Sequence, residues 1–144
     1  ASYVVGFSKM MGENEEKTLE TLGERRQVID VVIAEYYGKI FGEAGDSVIA
    51  EFGSPIKATE CAVQMQDRMH GMNENAPQDQ RMNFRIGINI GDVMVKQDNL
   101  YGEAVNVAAR LESAAHPSGI CISKPVFDMI NQKIQVSFED AGAL

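Results

Sequence analysis

Three short segments of this sequence carry residues that could bind a phosphate-containing ligand. The first is Gly45-Asp46, which places one acidic residue between two strand-like runs. An exposed carboxylate at such a turn suits Mg²⁺, which prefers oxygen ligands and keeps several of its waters. A Gly-Asp pair is also an ordinary turn sequence, and taken alone it favours that simpler interpretation.

The second segment is Gly6-Phe7-Ser8, which precedes a long helical pattern. Backbone amides in a loop at this position can hold phosphate oxygens. The signal is weak by itself, because an ordinary strand-to-helix connection has the same composition.

The third segment is a helical pattern that contains Asn106 and Arg110. Residues four apart lie side by side on a helix, so this amide and guanidinium share a face and can together grip a phosphoryl or ribose oxygen. The alternative is two ordinary solvent-facing side chains, which are common on any helix. The small and apolar residues of the pattern share another face: Ala104, Ala108, Leu111 and Ala115.

Hydrophobic periodicity predicts the elements that would position these residues. Apolar side chains recur at helical spacing in two long stretches, and residues 82–90 alternate apolar and polar as a strand with one buried face. Ser54-Pro55 is a typical helix start. We predict helices at residues 14–36, from 54 onward, at 102–115 and at 125–130, and strands at 4–7, 39–41, 48–52, 82–90, 93–95, 119–123 and 134–138.

The first six elements follow the order strand, helix, strand, strand, helix, strand, which predicts a ferredoxin-like α+β core. Residues 93–95 are expected as an added hairpin partner of the preceding strand, and a helix, strand, helix, strand extension follows. We expect one domain over residues 1–144, trimmed at both ends.

Composition and charge argue against several classes of partner. The formal net charge of -8 argues against nucleic acid as a partner, since such proteins usually present a basic surface. No apolar run is long enough to cross a bilayer, so we expect no direct membrane contact by this domain. The two cysteines, Cys61 and Cys121, lack metal-ligand spacing and suit free thiols in a reducing cytoplasm.

Taken together, the segments resemble the catalytic domain of class III adenylate and guanylate cyclases, especially the bacterial members. The resemblance covers nearly the whole chain. The Gly-Asp turn between two strands and the Val-Asn-Val-Ala-Ala-Arg-Leu-Glu helix are a specific signal of this family when both are present. The resemblance rests on residues 4–8, Gly45-Asp46 with residues 48–52, residues 84–93, residues 101–112 and residues 119–123.

The resemblance implies attack of the ribose 3′-oxygen on the α-phosphate of ATP or GTP, with two Mg²⁺ or Mn²⁺ ions as cofactors. It implies that Asp46 is a metal ligand and that Asn106 and Arg110 position the ribose and stabilise the transition state. Gly6, Phe7, Ser8 and Asn99 would contact the substrate. It also implies a head-to-tail homodimer, or a heterodimer with another cyclase domain, in which each chain supplies half of the site.

Three positions depart from the family pattern. Tyr3 stands where the first-strand metal aspartate is expected, Gly42 replaces the base-selecting lysine, and Asn99 replaces an aspartate that selects the base. A phenol is uncharged at neutral pH, so Tyr3 cannot replace a carboxylate beside two dications. Glu43 is a candidate substitute ligand. Loss of a metal ligand should slow turnover by orders of magnitude, whereas the other two changes should alter nucleotide recognition.

The sequence leaves three hypotheses about the function of this chain. The chain is either a working cyclase of cyclic-nucleotide signalling with an unusual site, or a catalytically impaired dimerisation or regulatory module. Tyr3 and Gly42 favour the second, whereas Asp46, Asn106 and Arg110 favour retained nucleotide binding. A heterodimer in which a partner supplies missing groups is the third, although this chain has lost a group from each half of the site.

Overall fold

The structure is a computed structural model that describes residues 1–134, 136–140 and 142, with the side chains of residues 42–44 left undescribed. Most of its helices and strands lie where the hydrophobic pattern predicts them. In chain order they are β1 (Ser2–Val4), α1 (Phe7–Glu13), α2 (Glu15–Glu35), β2 (Lys39–Ala44), β3 (Ser47–Glu51), α3 (Pro55–Glu74), β4 (Phe84–Ile88), β5 (Met94–Lys96), β6 (Asn99–Tyr101), α4 (Glu103–Ala114), β7 (Ile120–Ile122) and α5 (Lys124–Ile130).

The central sheet has the order β2-β3-β1-β4-β7. The first four strands pair antiparallel and give the predicted ferredoxin-like arrangement, while β7 adds to the far edge parallel to β4. Strand β1 therefore lies in the middle, with Ser2 opposite Val48 of β3 and Tyr3 opposite Arg85 of β4. The predicted α+β class is confirmed.

Helices α2, α3 and α5 cover one face of the sheet. Their apolar residues pack with Val4, Val48, Phe84 and Ile86 in a single core cluster. Asn14 and Ser54 cap the two long helices, each accepting a hydrogen bond from a backbone amide three residues ahead. The apolar residues Cys61, Ala62, Met65 and Met69, which recur at helical spacing on α3, are buried. Leu19 belongs to the apolar pattern of α2, but it is 48% exposed and lies outside the core.

Helix α4 lies on the opposite face of the sheet, and a glycine makes this contact possible. Ile86 points into the core, so its neighbour Gly87 faces the other side. A Cβ atom built on Gly87 would lie 2.3 Å from the backbone oxygen of Ala108 and 2.3 Å from the backbone nitrogen of Glu112. The helix backbone thus rests directly on β4.

The prediction that residues 93–95 pair with the preceding strand is wrong. Strand β5 instead pairs with β6, which the sequence pattern did not indicate, in a separate two-stranded ribbon. The reason is topological, because both edges of β4 are already occupied by β1 and β7. The chain must leave the sheet after Ile88 and form its hairpin elsewhere.

The two ends of the described chain also differ from expectation. The first strand ends at Val4, and Phe7 begins a short helix rather than ending a strand. Asn14, whose backbone is extended, separates this helix from α2. The strand predicted at 134–138 is not formed at residue 134 or at residues 136–138, and residue 135 lies outside the described residues.

Candidate functional site

The turn between β2 and β3 places Asp46 beside the first strand. Gly45 adopts a left-handed conformation with φ of 57°, which suits glycine in a tight turn. The Oδ2 atom of Asp46 accepts a hydrogen bond from the backbone nitrogen of Val4 at 3.0 Å. One carboxylate oxygen is therefore already engaged in holding the turn against β1.

Tyr3 lies next to this turn, on the face of the sheet that α4 occupies. It is opposite Arg85, which is two residues from Gly87 and so shares its face. The Nη1 atom of Arg85 donates a hydrogen bond to the phenolic oxygen of Tyr3 at 3.0 Å. A cationic side chain thus contacts the residue that stands at the expected metal-ligand position.

The two positions that are predicted to select the base lie on strands that contact each other. Strand β6, which contains Asn99, contacts β2, which contains Gly42. Gly42 falls at an irregularity in the pairing of β2 with β3. The amide of Asn99 donates to the carbonyl oxygen of Gln97 at 3.4 Å, within its own turn. The suggestion that Glu43 is a substitute ligand concerns a side chain outside the described residues.

The segment predicted as a phosphate-binding loop is helical in the structure. Phe7 and Ser8 form the first turn of α1, and Gly6 precedes it with φ of 69°. The carbonyl oxygen of Gly6 accepts the amide of Met10, as in a helix start. A substrate role for Gly6, Phe7 and Ser8 stays a prediction.

Helix α4 presents Asn106 and Arg110 to solvent, as their spacing predicts. Its first turn is tied to the end of β4 by Asn89, whose Nδ2 atom donates to the carbonyl oxygen of Ala104 at 3.2 Å. Glu103 contacts both side chains. Its Oε1 atom lies 3.1 Å from Nη2 of Arg110, and hydrogen bonds from Arg110 and then Asn106 hold the pKa of Glu103 below its usual range.

Sequence reasoning gave no role to Glu112, which lies near the C-terminal end of α4. Burial raises the pKa of this carboxyl to about 7, and the negative charge of Asp46 adds to the shift. The backbone of Glu112 rests on Gly87 of β4, so this end of α4 lies over the strand that pairs with β1. The only sequence signal was that Glu112 follows Ala108 by four residues, which places it on the same face of the helix as Ala108.

The acidic turn and the amide–guanidinium pair are not joined within one chain. Among the described residues, no hydrogen bond or ion pair links Asp46 to Asn106 or Arg110. A ligand that touches both groups would therefore have to bridge the space between them.

The residues at the turn do not fit a pair of divalent cations. Asp46 brings one carboxylate, Tyr3 brings an uncharged phenol, and Arg85 brings a positive charge that repels a metal ion. In the part of the chain that the structure describes, no three His, Cys, Asp or Glu side chains form a metal-binding group. Asp46 alone could serve as a ligand of one metal ion.

With the fold and these positions established, comparison with known proteins defines the class. The family model described as the adenylate and guanylate cyclase catalytic domain matches residues 2–144. The chain belongs to this family.

Individual relatives agree with this assignment. The chain is 36% identical to putative adenylate cyclase 3 of Rhizobium meliloti over 99% of its own length and 24% of that protein's. It is 25% identical to the serine/threonine-protein kinase pkn2 of Myxococcus xanthus over 98% of the chain and 17% of the kinase. The chain thus spans about a quarter or less of these relatives.

A solved structure gives the same result for the fold. The adenylate/guanylate cyclase/hydrolase from Silicibacter pomeroyi superposes with a TM-score of 0.91 at 37% identity, covering 99% of this chain and 83% of the other.

None of the helices in the described ranges combines the length and apolarity that crossing a bilayer requires.

Proposed function

We propose that this cyclase-family domain binds ATP or GTP in a dimer but has lost most of the turnover that two metal ions support. Its role in cyclic-nucleotide signalling would then be that of a nucleotide-responsive dimerisation or regulatory module. Because both base-selecting positions are altered, at Gly42 and Asn99, the proposal leaves ATP and GTP as equal candidates.

The observation that carries the proposal is the contact between Tyr3 and Arg85. The 3.0 Å hydrogen bond places a guanidinium beside the position where a second carboxylate would be needed. A second metal ion brought there would meet a positive charge, and the single carboxylate of Asp46 would be the nearby group left to compensate it. Metal activation of the attacking oxygen is worth several kcal/mol, so its loss should slow cyclisation by orders of magnitude.

The retained groups on α4 support binding of the nucleotide. Arg110 has 60% of its side-chain surface exposed, so its planar guanidinium is accessible to a phosphate group. Asn106 lies one turn before it and supplies both a donor and an acceptor. Together they can contact a ribose or phosphoryl oxygen without any metal ion.

The β5–β6 ribbon and the loop before it support dimer formation. Large apolar side chains are exposed there instead of being buried in a core. Contiguous exposed apolar surface is typical of an interaction site, and we propose that a second copy of this chain covers it. The exposed fractions are 67% for Met94, 57% for Val95, 47% for Tyr101, 40% for Ile90 and 37% for Val93.

Met94→Asp should weaken self-association of the chain by at least about tenfold, as expected when a charge enters a buried apolar contact. Leu19→Asp is the matched control, because Leu19 is also an exposed apolar residue, at 48%, but lies on α2. Sedimentation velocity over a range of protein concentrations measures both. Equal dissociation constants for the two variants would contradict a ribbon-mediated dimer.

Nucleotide binding tests the proposal itself. The ligands are 3′-deoxy-ATP and 3′-deoxy-GTP, which lack the attacking hydroxyl and so cannot be cyclised. Arg110→Ala should weaken binding by about tenfold or more, the usual effect of losing charged hydrogen bonds. Lys124→Ala is the control, since Lys124 is another exposed cation in an ion pair, with Asp128. Absent binding, or equal affinities for the two variants, would overturn the proposal.

The relative named as a kinase adds support for a regulatory role. A region similar to nearly all of this chain occurs within a protein whose name refers to a different activity. The competing function, a fully working cyclase, requires the wild-type chain to form cyclic nucleotide at a rate that depends on Asp46 and Arg110. Such a rate would refute the impaired-site proposal.

A further inference from the structure

The ion pair on α4 differs from the other ion pairs in the described part of the chain. Those between side chains of one helix elsewhere join residues three or four apart, such as Lys17 with Glu20 and Lys124 with Asp128. Glu103 and Arg110 are seven residues apart, and the carboxylate must reach along two turns to meet Nη2 at 3.1 Å. Asn106, between them, also hydrogen bonds to Glu103.

The geometry points to Glu103 as an internal competitor that occupies Asn106 and Arg110 until a nucleotide phosphate displaces it. This inference rests on the proposed function, because it assigns a regulator to the same binding pair. A carboxylate and a phosphoryl group offer the same chemistry to a guanidinium, namely anionic oxygens that accept its N–H groups. The contact therefore holds both binding side chains in an arrangement that an incoming phosphate must break.

Electrostatics adds a second component to this competition. A triphosphate that reaches Arg110 also approaches the negative charge of Glu103, and like charges repel. Both partners are largely exposed, at 60% and 75% of their side-chain surface. Solvent screening makes such a contact weak, so it can regulate affinity without blocking binding. We expect its removal to tighten binding by about two- to fivefold, and less at high ionic strength.

The test is isothermal titration of the chain with 3′-deoxy-ATP and 3′-deoxy-GTP, at low and at high salt. Glu103→Gln keeps the shape of the side chain and removes its charge. Asp128→Asn is the matched control, because Asp128 is an exposed, ion-paired carboxylate on α5 and its loss changes the net charge equally. The inference predicts tighter binding for Glu103→Gln alone, and a smaller effect of Glu103→Gln in an Arg110→Ala background, where the charge repulsion is the component that remains.

Unchanged or weaker binding by Glu103→Gln, with Arg110→Ala still weakening it, would overturn the competitor while leaving the proposed function intact. If neither wild type nor Glu103→Gln binds nucleotide, the proposed function fails, and inorganic tripolyphosphate becomes the probe. Nuclear magnetic resonance of the Arg110 guanidinium then tests whether Glu103 competes with phosphate for Arg110. The competitor requires that tripolyphosphate shifts the side-chain N–H signal of Arg110 at a lower concentration in Glu103→Gln than in wild type; equal midpoint concentrations, or no shift in either protein, would overturn it.

Discussion

Tyr3→Asp should raise the rate at which the purified chain forms cyclic nucleotide with Mn²⁺ by at least about a hundredfold, since metal activation supplies several kcal/mol. The substitution adds a second carboxylate beside Asp46, on the strand that Asp46 already contacts through the Val4 amide. It also gives Arg85 an anionic partner in place of a phenol, which removes the unbalanced positive charge at this position. Product formation from ATP and from GTP measures the effect.

Tyr3→Phe is the control for this prediction, because it removes the hydroxyl group without adding a charge. It should leave the rate as low as that of wild type. Adding Gly42→Lys and Asn99→Asp to Tyr3→Asp should change the preference between ATP and GTP, since both positions are predicted to select the base. A wild-type rate equal to that of Tyr3→Asp would show that the first-strand position is not limiting.

Gly87→Ala should destabilise the fold by about 3 kcal/mol, which is at the upper end of the usual cost of overpacking. Its new methyl group would lie 2.3 Å from two backbone atoms of α4, and backbone cannot move aside as a flexible side chain can. Thermal and denaturant unfolding measure the change. Because α4 must shift to make room, the affinity for 3′-deoxy-nucleotides should fall as well.

Gly71→Ala provides the comparison, since a methyl group there meets no atom within 4 Å in the described structure. Gly71 lies inside α3, where alanine is the better helix former, so the variant should be as stable as wild type or more stable by about 0.5–1 kcal/mol. If the two variants unfolded at the same temperature, the close approach of α4 to β4 would be refuted.

Local patterns were sufficient to predict much of the fold. The alternation through Phe84, Ile86 and Ile88 marked β4 and its buried side, and Ser54-Pro55 marked the start of α3. The same holds for the exposed positions of Asn106 and Arg110, because helical spacing alone sets which face they share. The order of the elements then gave the arrangement of the four core strands.

Features that depend on contacts distant in sequence were not predictable. The partner of β5 is decided by the occupied edges of β4, which only the assembled sheet shows. The contact of Tyr3 with Arg85 joins residues that are 82 positions apart, and the environment of Glu112 depends on how α4 approaches the β2–β3 turn. Leu19 follows the helical pattern, yet the core reaches only part of that face of α2.

Counting Mn²⁺ ions by electron paramagnetic resonance, in the wild-type chain saturated with 3′-deoxy-ATP or 3′-deoxy-GTP, tests the central claim most directly. The single carboxylate of Asp46 and the guanidinium of Arg85 beside Tyr3 predict at most one ion for each bound nucleotide and no magnetically coupled pair. Two coupled ions for each nucleotide, together with cyclic product formed from ATP or GTP by the same preparation, would contradict it.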